Sequence, residues 1–181
     1  MNRIRWLLLF LTLLGSTARP VANEGVIDVA YGTSYGMCIG YCVKQIRITG
    51  GKVDFSAEGW YFTKGPDVQA TNSNTGQSFA VGSSKQVPMK PVHTTLLLSS
   101  SEQQELRRLM RDARVDDLPD RIGCPDCRDQ GAEWIEVVDK SFKNRRITFE
   151  KGAPPSQLKE LVSWLSGLQA RFSTPPLPLH Q

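Results

Sequence analysis

Gly50-Gly51 stands between two candidate strands, 43–49 and 52–57, which alternate apolar and polar residues over 46–49 and 52–57. Two adjacent glycines reach positive φ at both central positions of a tight turn, so the pair closes a two-residue β-hairpin. Closing it fixes a register: Thr49 opposes Lys52, Ile48 opposes Val53, Arg47 opposes Asp54 and Ile46 opposes Phe55. The apolar pairs then share one face and the charged pair lies on the other, where opposite charges favour the register. Extending the same phase places Cys42 on the apolar face.

Further elements follow from local pattern. Residues 26–31 alternate as a strand, with Ile27, Val29 and Tyr31 on one side, and 94–98 resembles another. Ser99 to Glu102, or Ser101 to Gln104, has capping-box spacing and opens a helix to about Ala113, with Leu106, Leu109, Met110 and Ala113 as its buried stripe. A second strand pair is expected at 134–138 and 146–150, with its turn near 140–144. A last helix begins near Pro154-Pro155 and buries Leu158, Leu161, Val162, Leu165 and Leu168. Trp134 and Trp164 are expected to face the core or cap the sheet. Short strands mixed with two amphipathic helices predict an α+β fold: an antiparallel sheet of hairpins with both helices packed on one face. Residues 63–92 are polar and rich in Gly, Ser, Thr, Asn and Pro, and read as a long loop with at most a short strand at 79–81.

The first eighteen residues combine basic Arg3 and Arg5, an apolar run from Trp6 to Leu14 and the small residues Ser16 and Ala18. That is the pattern of a secretory signal peptide, with cleavage expected after Ala18. The domain expected to remain is 19–174, followed by a Pro-rich tail, 175–181. The apolar run is shorter than the roughly 20 residues a spanning helix needs, and no transmembrane segment is expected after its removal. The chain has 22 Lys and Arg against 18 Asp and Glu, a net charge of +4. Losing Arg3 and Arg5 leaves +2, which gives no electrostatic case for nucleic-acid binding.

Four cysteines form two close pairs, Cys38/Cys42 and Cys124/Cys127. In an oxidising compartment an even count favours disulfides, here in one of three pairings. Chain entropy assigns about 2 kcal/mol to a local bridge and roughly 4.5 to one joining Cys42 to Cys124. A crossed pairing would therefore stabilise more, while Gly40 and Pro125 leave local bridges open. Two other chemistries use the same residues: a four-thiolate zinc site, and thiol redox catalysis at Cys124-Pro125-Asp126-Cys127. The loop-like Arg128-Asp129-Gln130-Gly131 that follows does not suit a low-pKa thiol.

Gly36-Met37-Cys38-Ile39-Gly40-Tyr41-Cys42 and Gly123-Cys124-Pro125-Asp126-Cys127-Arg128-Asp129-Gln130-Gly131-Ala132-Glu133-Trp134-Ile135-Glu136 resemble a family of exported bacterial proteins to which no activity is assigned. The first segment is also similar to the Cys-x-x-x-Cys domains of bacterial lipoproteins and secreted proteins, where the cysteine pair precedes a strand and a Gly turn. The resemblance implies an exported α+β domain. This chain lacks the lipid-attachment cysteine, so a membrane tether is not implied.

Other candidates are weaker. Asp126, Asp129, Glu133 and Glu136 could supply oxygens to a hard cation, but their spacing is not that of a calcium loop and a solvated acidic loop is the favoured account. Trp60, Tyr61 and Phe62 could form a stacking platform, or divide between core and surface. Arg107, Arg111 and Arg114 share a helix side but have acidic neighbours. His93 and His180 are the only histidines, no Gly-x-Ser-x-Gly elbow occurs and no phosphate loop is present. No cofactor is expected. The expectation is a non-catalytic periplasmic or secreted module binding a protein or glycan of the cell envelope, with Cys-based zinc or redox chemistry as the alternative.

Overall fold

The structure, a computed structural model, describes residues 28–36, 38–71, 75–138, 144–172 and 174. The signal segment 1–18, the turn at 140–143 and the tail 175–181 lie outside them.

The architecture is α+β with a mostly antiparallel sheet. Its strands are β1 (Asp28–Ser34), β2 (Gly40–Thr49), β3 (Lys52–Lys64), β4 (Val68–Thr71), β5 (Ser78–Val81), β6 (Ser84–Pro88), β7 (Val92–Leu97), β8 (Arg121–Ile122), β9 (Ala132–Val138) and β10 (Asn144–Glu150). The helices are α1 (Ser100–Ala113) and α2 (Lys159–Gln169). Eight strands form one sheet in the order β6-β3-β2-β1-β9-β10-β8, with β7 also on β3, while β4 and β5 make a separate hairpin. Only the two-residue β8 runs parallel to its neighbour, β10. The thirteen-residue β3 is long enough to pair with β7 along 52–57 and with β6 along 60–64.

The Gly50-Gly51 hairpin has the expected register, Thr49 opposite Lys52 through Ile46 opposite Phe55. Both glycines have positive φ, +58° and +85°. Cys42 is buried and is the extra residue of a bulge, since the pairing slips between Tyr41 and Val43. The Arg47–Asp54 cross-strand pair does not form. Asp54 turns to Lys52 at 2.7 Å, and Arg47 reaches the other way, to Asp28 at 2.8 Å and Glu136 at 2.6 Å. Two carboxylates, Asp28 on the neighbouring strand and Glu136 across the small Ala30, outcompete one half-buried aspartate.

The apolar residues of β1, β2, β3, β9 and β10 fall on one face in register. Val29 lies beside Ile48, and Tyr31 lies between Ile46 and Ile135. They form a single buried cluster with Leu106, Leu109 and Ala113 of α1 and with Leu158, Leu161, Val162, Leu165 and Leu168. The helix stripes are thus those the 3.6-residue period predicts, except that Met110 is only partly buried. Ser99 caps α1 through a full capping box: its Oγ accepts from the Glu102 N–H at 3.3 Å, and Glu102 Oε2 accepts from the Ser99 N–H at 2.7 Å. A 3₁₀ turn, Ser156–Leu158, follows Pro155 and leads into α2.

One expectation is corrected. Segment 63–92 is not one long loop: it holds the end of β3, the β4–β5 hairpin, β6 and the start of β7. Its strands pair by main chain while most of the described side chains face water, so the alternation that marks a half-buried strand is absent. Trp134 belongs to the face opposite the apolar cluster. Its ring lies over Gly32, where a Cβ would come within 2.0 Å of it.

Candidate functional site

Each cysteine pair closes on itself. Cys38 and Cys42 form one disulfide with Cα atoms 5.6 Å apart, and Cys124 and Cys127 form the other at 5.4 Å. The crossed pairing that loop entropy favoured is therefore not adopted. Bridging needs Cα atoms within about 4.4–6.8 Å, and tight turns meet that condition before long-range geometry does. Cys127 opens a three-residue 3₁₀ turn, Cys127–Asp129, rather than the helix whose dipole activates oxidoreductase thiols.

The two bridged loops meet at the same end of β1. Gly36 lies against the backbone of Asp129, where a Cβ would approach Cα to 2.7 Å, and a Cβ on Gly131 would come within 2.0 Å of the Ser34 carbonyl oxygen and 2.8 Å of the Tyr35 Cα. The Tyr35 N–H donates to the Cys42 carbonyl at 3.0 Å, and the Ala132 N–H donates to Ser34 Oγ at 3.3 Å. Tyr35 is thus held between both loops.

Beside Tyr35 a cavity of about 240 Å³ opens on the apolar-phase side of the sheet. Its wall contains a row of three polar residues in register: Lys44 of β2, Thr33 of β1 and Glu133 of β9. Tyr31 and Lys151 add to the wall, and Ser166, Gln169 and Phe172 close it from α2 and just beyond. Glu133 is only 7% exposed. Its carboxylate accepts from the Tyr31 hydroxyl at 3.2 Å and from the Gly152 N–H at 3.1 Å. Burial pushes the Tyr31 phenol well above its ordinary range, and the neighbouring Glu133 charge pushes the same way. Tyr31 therefore stays protonated and acts as a donor. Lys151 Nζ rests 3.2 Å from the Tyr35 ring centre, a cation–π contact. The Gln169 amide nitrogen is buried and has no hydrogen-bond partner among the described residues.

The four carboxylates suggested for a cation part company. Asp126 and Asp129 are exposed on the second disulfide loop, Glu133 enters the cavity, and Glu136 lies on the opposite face with Arg47. Among the described residues no three His, Cys, Asp or Glu side chains gather as a metal site. The aromatic run also divides. Trp60, Tyr61 and Phe62 sit on an extended strand, so Trp60 and Phe62 share one face and Tyr61 takes the other. Trp60 and Tyr61 are half-buried and Phe62 is exposed, which is no continuous platform.

Of the cavity residues, only Glu133 stood out in the sequence. Its signal is phase: it alternates with Ile135 and so puts an acid where an apolar residue is expected. Ser166 and Gln169 join it only through the docking of α2.

No protein-family model matches the chain, and no curated protein matches it. Among the described residues no helix is long and apolar enough to cross a membrane.

Proposed function

We propose that this chain is an exported, non-catalytic binding module of the cell envelope, with both helices laid on one face of its sheet. Its binding end is the one carrying both disulfides. The observation that carries the reading is the convergence of two separate short-range bridges on Tyr35, the rim of a polar cavity with a buried glutamate. A bridge within a tight turn adds little to global stability, about 2 kcal/mol. Its main effect is to fix loop shape, and fixed loops lower the ordering cost of binding. The partner is a protein or glycan outside the reducing interior, in keeping with the signal-like leader.

The test has two arms. Thiol alkylation of intact cells, without reduction, should leave all four cysteines unlabelled. Purified oxidised protein should then co-sediment with the insoluble wall polymer of the producing cell, and reduction should weaken that binding. Four labelled thiols would refute export and bracing, and equal binding by oxidised and reduced protein would refute the role of the bridged end.

A further inference from the structure

The cavity beside Tyr35 has a polarity that restricts what it can hold. Three observations define it. Glu133 is buried, accepts two hydrogen bonds, and has no cation within ion-pairing distance among the described residues. Lys44 and Lys151 both line the same space. Gln169 presents a buried amide N–H₂ that no described residue accepts from, and an unmet buried donor is disfavoured by about 1–3 kcal/mol. The wall thus offers ammonium groups to an anion, a carboxylate to a hydroxyl and an amide donor to an oxygen.

Spacing narrows the class. Lys44 and Glu133 stand in one row, separated by the single residue Thr33 of β1. Two strand spacings put their Cα atoms about 10 Å apart, so a guest that bridges the two side chains must carry its polar groups well separated. An α-amino acid carries its carboxylate and ammonium on one and the same carbon and lacks that separation. A six-membered ring with a carboxylate on one side and hydroxyls on the other spans the gap. The volume, about 240 Å³, lies below the roughly 300–1,000 Å³ of sites for drug-sized ligands and suits one such ring.

We propose that this cavity binds a sugar acid, either free or as a chain-end residue. The ammonium groups of Lys44 and Lys151 hold its carboxylate, Glu133 accepts from a ring hydroxyl, and the Gln169 amide donates to a ring oxygen. The proposal rests on the binding-module reading and supplies its ligand class.

The test is a titration of the oxidised full chain followed by amide-detected NMR, with glucuronate, glucose and glycine as separate probes. Glucuronate should bind in the millimolar range and shift Thr33, Gly152 and the Gln169 side-chain amide. Glucose should bind at least about tenfold more weakly, and glycine should leave those signals in place. Lys44→Met, at a partly exposed position, should weaken glucuronate binding about tenfold without altering the fold. Glu133→Gln should weaken glucose and glucuronate alike, because it acts on the hydroxyl end. A glucuronate oligomer added as a fourth probe separates a chain end from a free acid by which binds more tightly. No shift with about 10 mM glucuronate, equal binding of glucose, a preference for glycine, or an unchanged affinity in Lys44→Met would overturn the assignment. If the wall polymer still co-sediments while glucuronate fails, the ligand class falls and the module reading stands. Failure of both removes both.

Discussion

On one face of the sheet Val29, Tyr31, Ile46, Ile135 and Phe149 are buried by other apolar side chains, including those of both helices. On the other face Ala30 and Trp134 are buried as well, yet their cover is different. Arg47, Ala30 and Glu136 stand in one row across β2, β1 and β9, and Arg47 spans Ala30 to reach Glu136. Arg146 meets Glu136 at 3.5 Å and lies 4.8 Å over the Trp134 ring. Trp134 in turn fills the space that Gly32 leaves. The comparison teaches that a central strand can be buried on both sides by different means, apolar side chains on one and small residues beneath long, charge-paired ones on the other. Burial excludes water by packing on the first face and by reach on the second.

Breaking the packed face should have the larger effect. Phe149→Ala removes a fully buried ring and should lower unfolding free energy by about 3–5 kcal/mol in urea titration. A loss of less than about 1 kcal/mol would mean that the cluster does not dominate stability. Gly32→Val attacks the second face without touching a charge. The new Cβ meets the Trp134 ring, so a loss of about 1–3 kcal/mol and a red-shifted tryptophan emission are expected. An unchanged spectrum would show that the ring does not rest there.

Serine replacement of either cysteine pair should lower stability by about 2 kcal/mol, and the two losses should add. Unreduced tryptic digestion gives a sharper check. The peptide 122–128 contains Cys124 and Cys127 with no Lys or Arg before its last residue, and it should appear lighter by two hydrogens. A peptide linking Cys124 to Cys42 would disprove local pairing.

The smallest effect concerns Glu136. Its burial opposes ionisation, but hydrogen bonds from Arg47 and Asn144 and the charges of Arg47 and Arg146 win, holding its pKa below the ordinary carboxylate range. A carboxyl whose folded pKa is depressed adds stability above its unfolded value, near pH 4.3, and loses it as pH falls through the folded value. Glu136→Gln should therefore be about 1–2 kcal/mol less stable than the parent at pH 7. The gap should close in acid, below about pH 4. A gap that persists at low pH would assign the loss to shape rather than to charge.

The hairpin and both helices were legible because each rests on a local rule: paired glycines pin a register, and leucines at helical spacing mark a face. Of the polar strands at 68–88 only the short run at 79–81, now β5, was legible, since backbone pairing alone leaves no mark in the residue pattern. Disulfide partners were also beyond local rules, because loop entropy ranks pairings by unfolded-state freedom and says nothing of which sulfurs meet. Glu133 was singled out for the wrong neighbours. Its place in the acidic run suggested Asp126 and Asp129, whereas strand phase sends it to the opposite company of Tyr31 and Lys44.

Short-range bridging has one more effect, on how the molecule is made. Each sulfur finds its mate within four residues along the chain. Native oxidation therefore needs no long-range search, and the first pair can close while the second is still being synthesised. Such a polypeptide needs an oxidant but little proofreading by an isomerase.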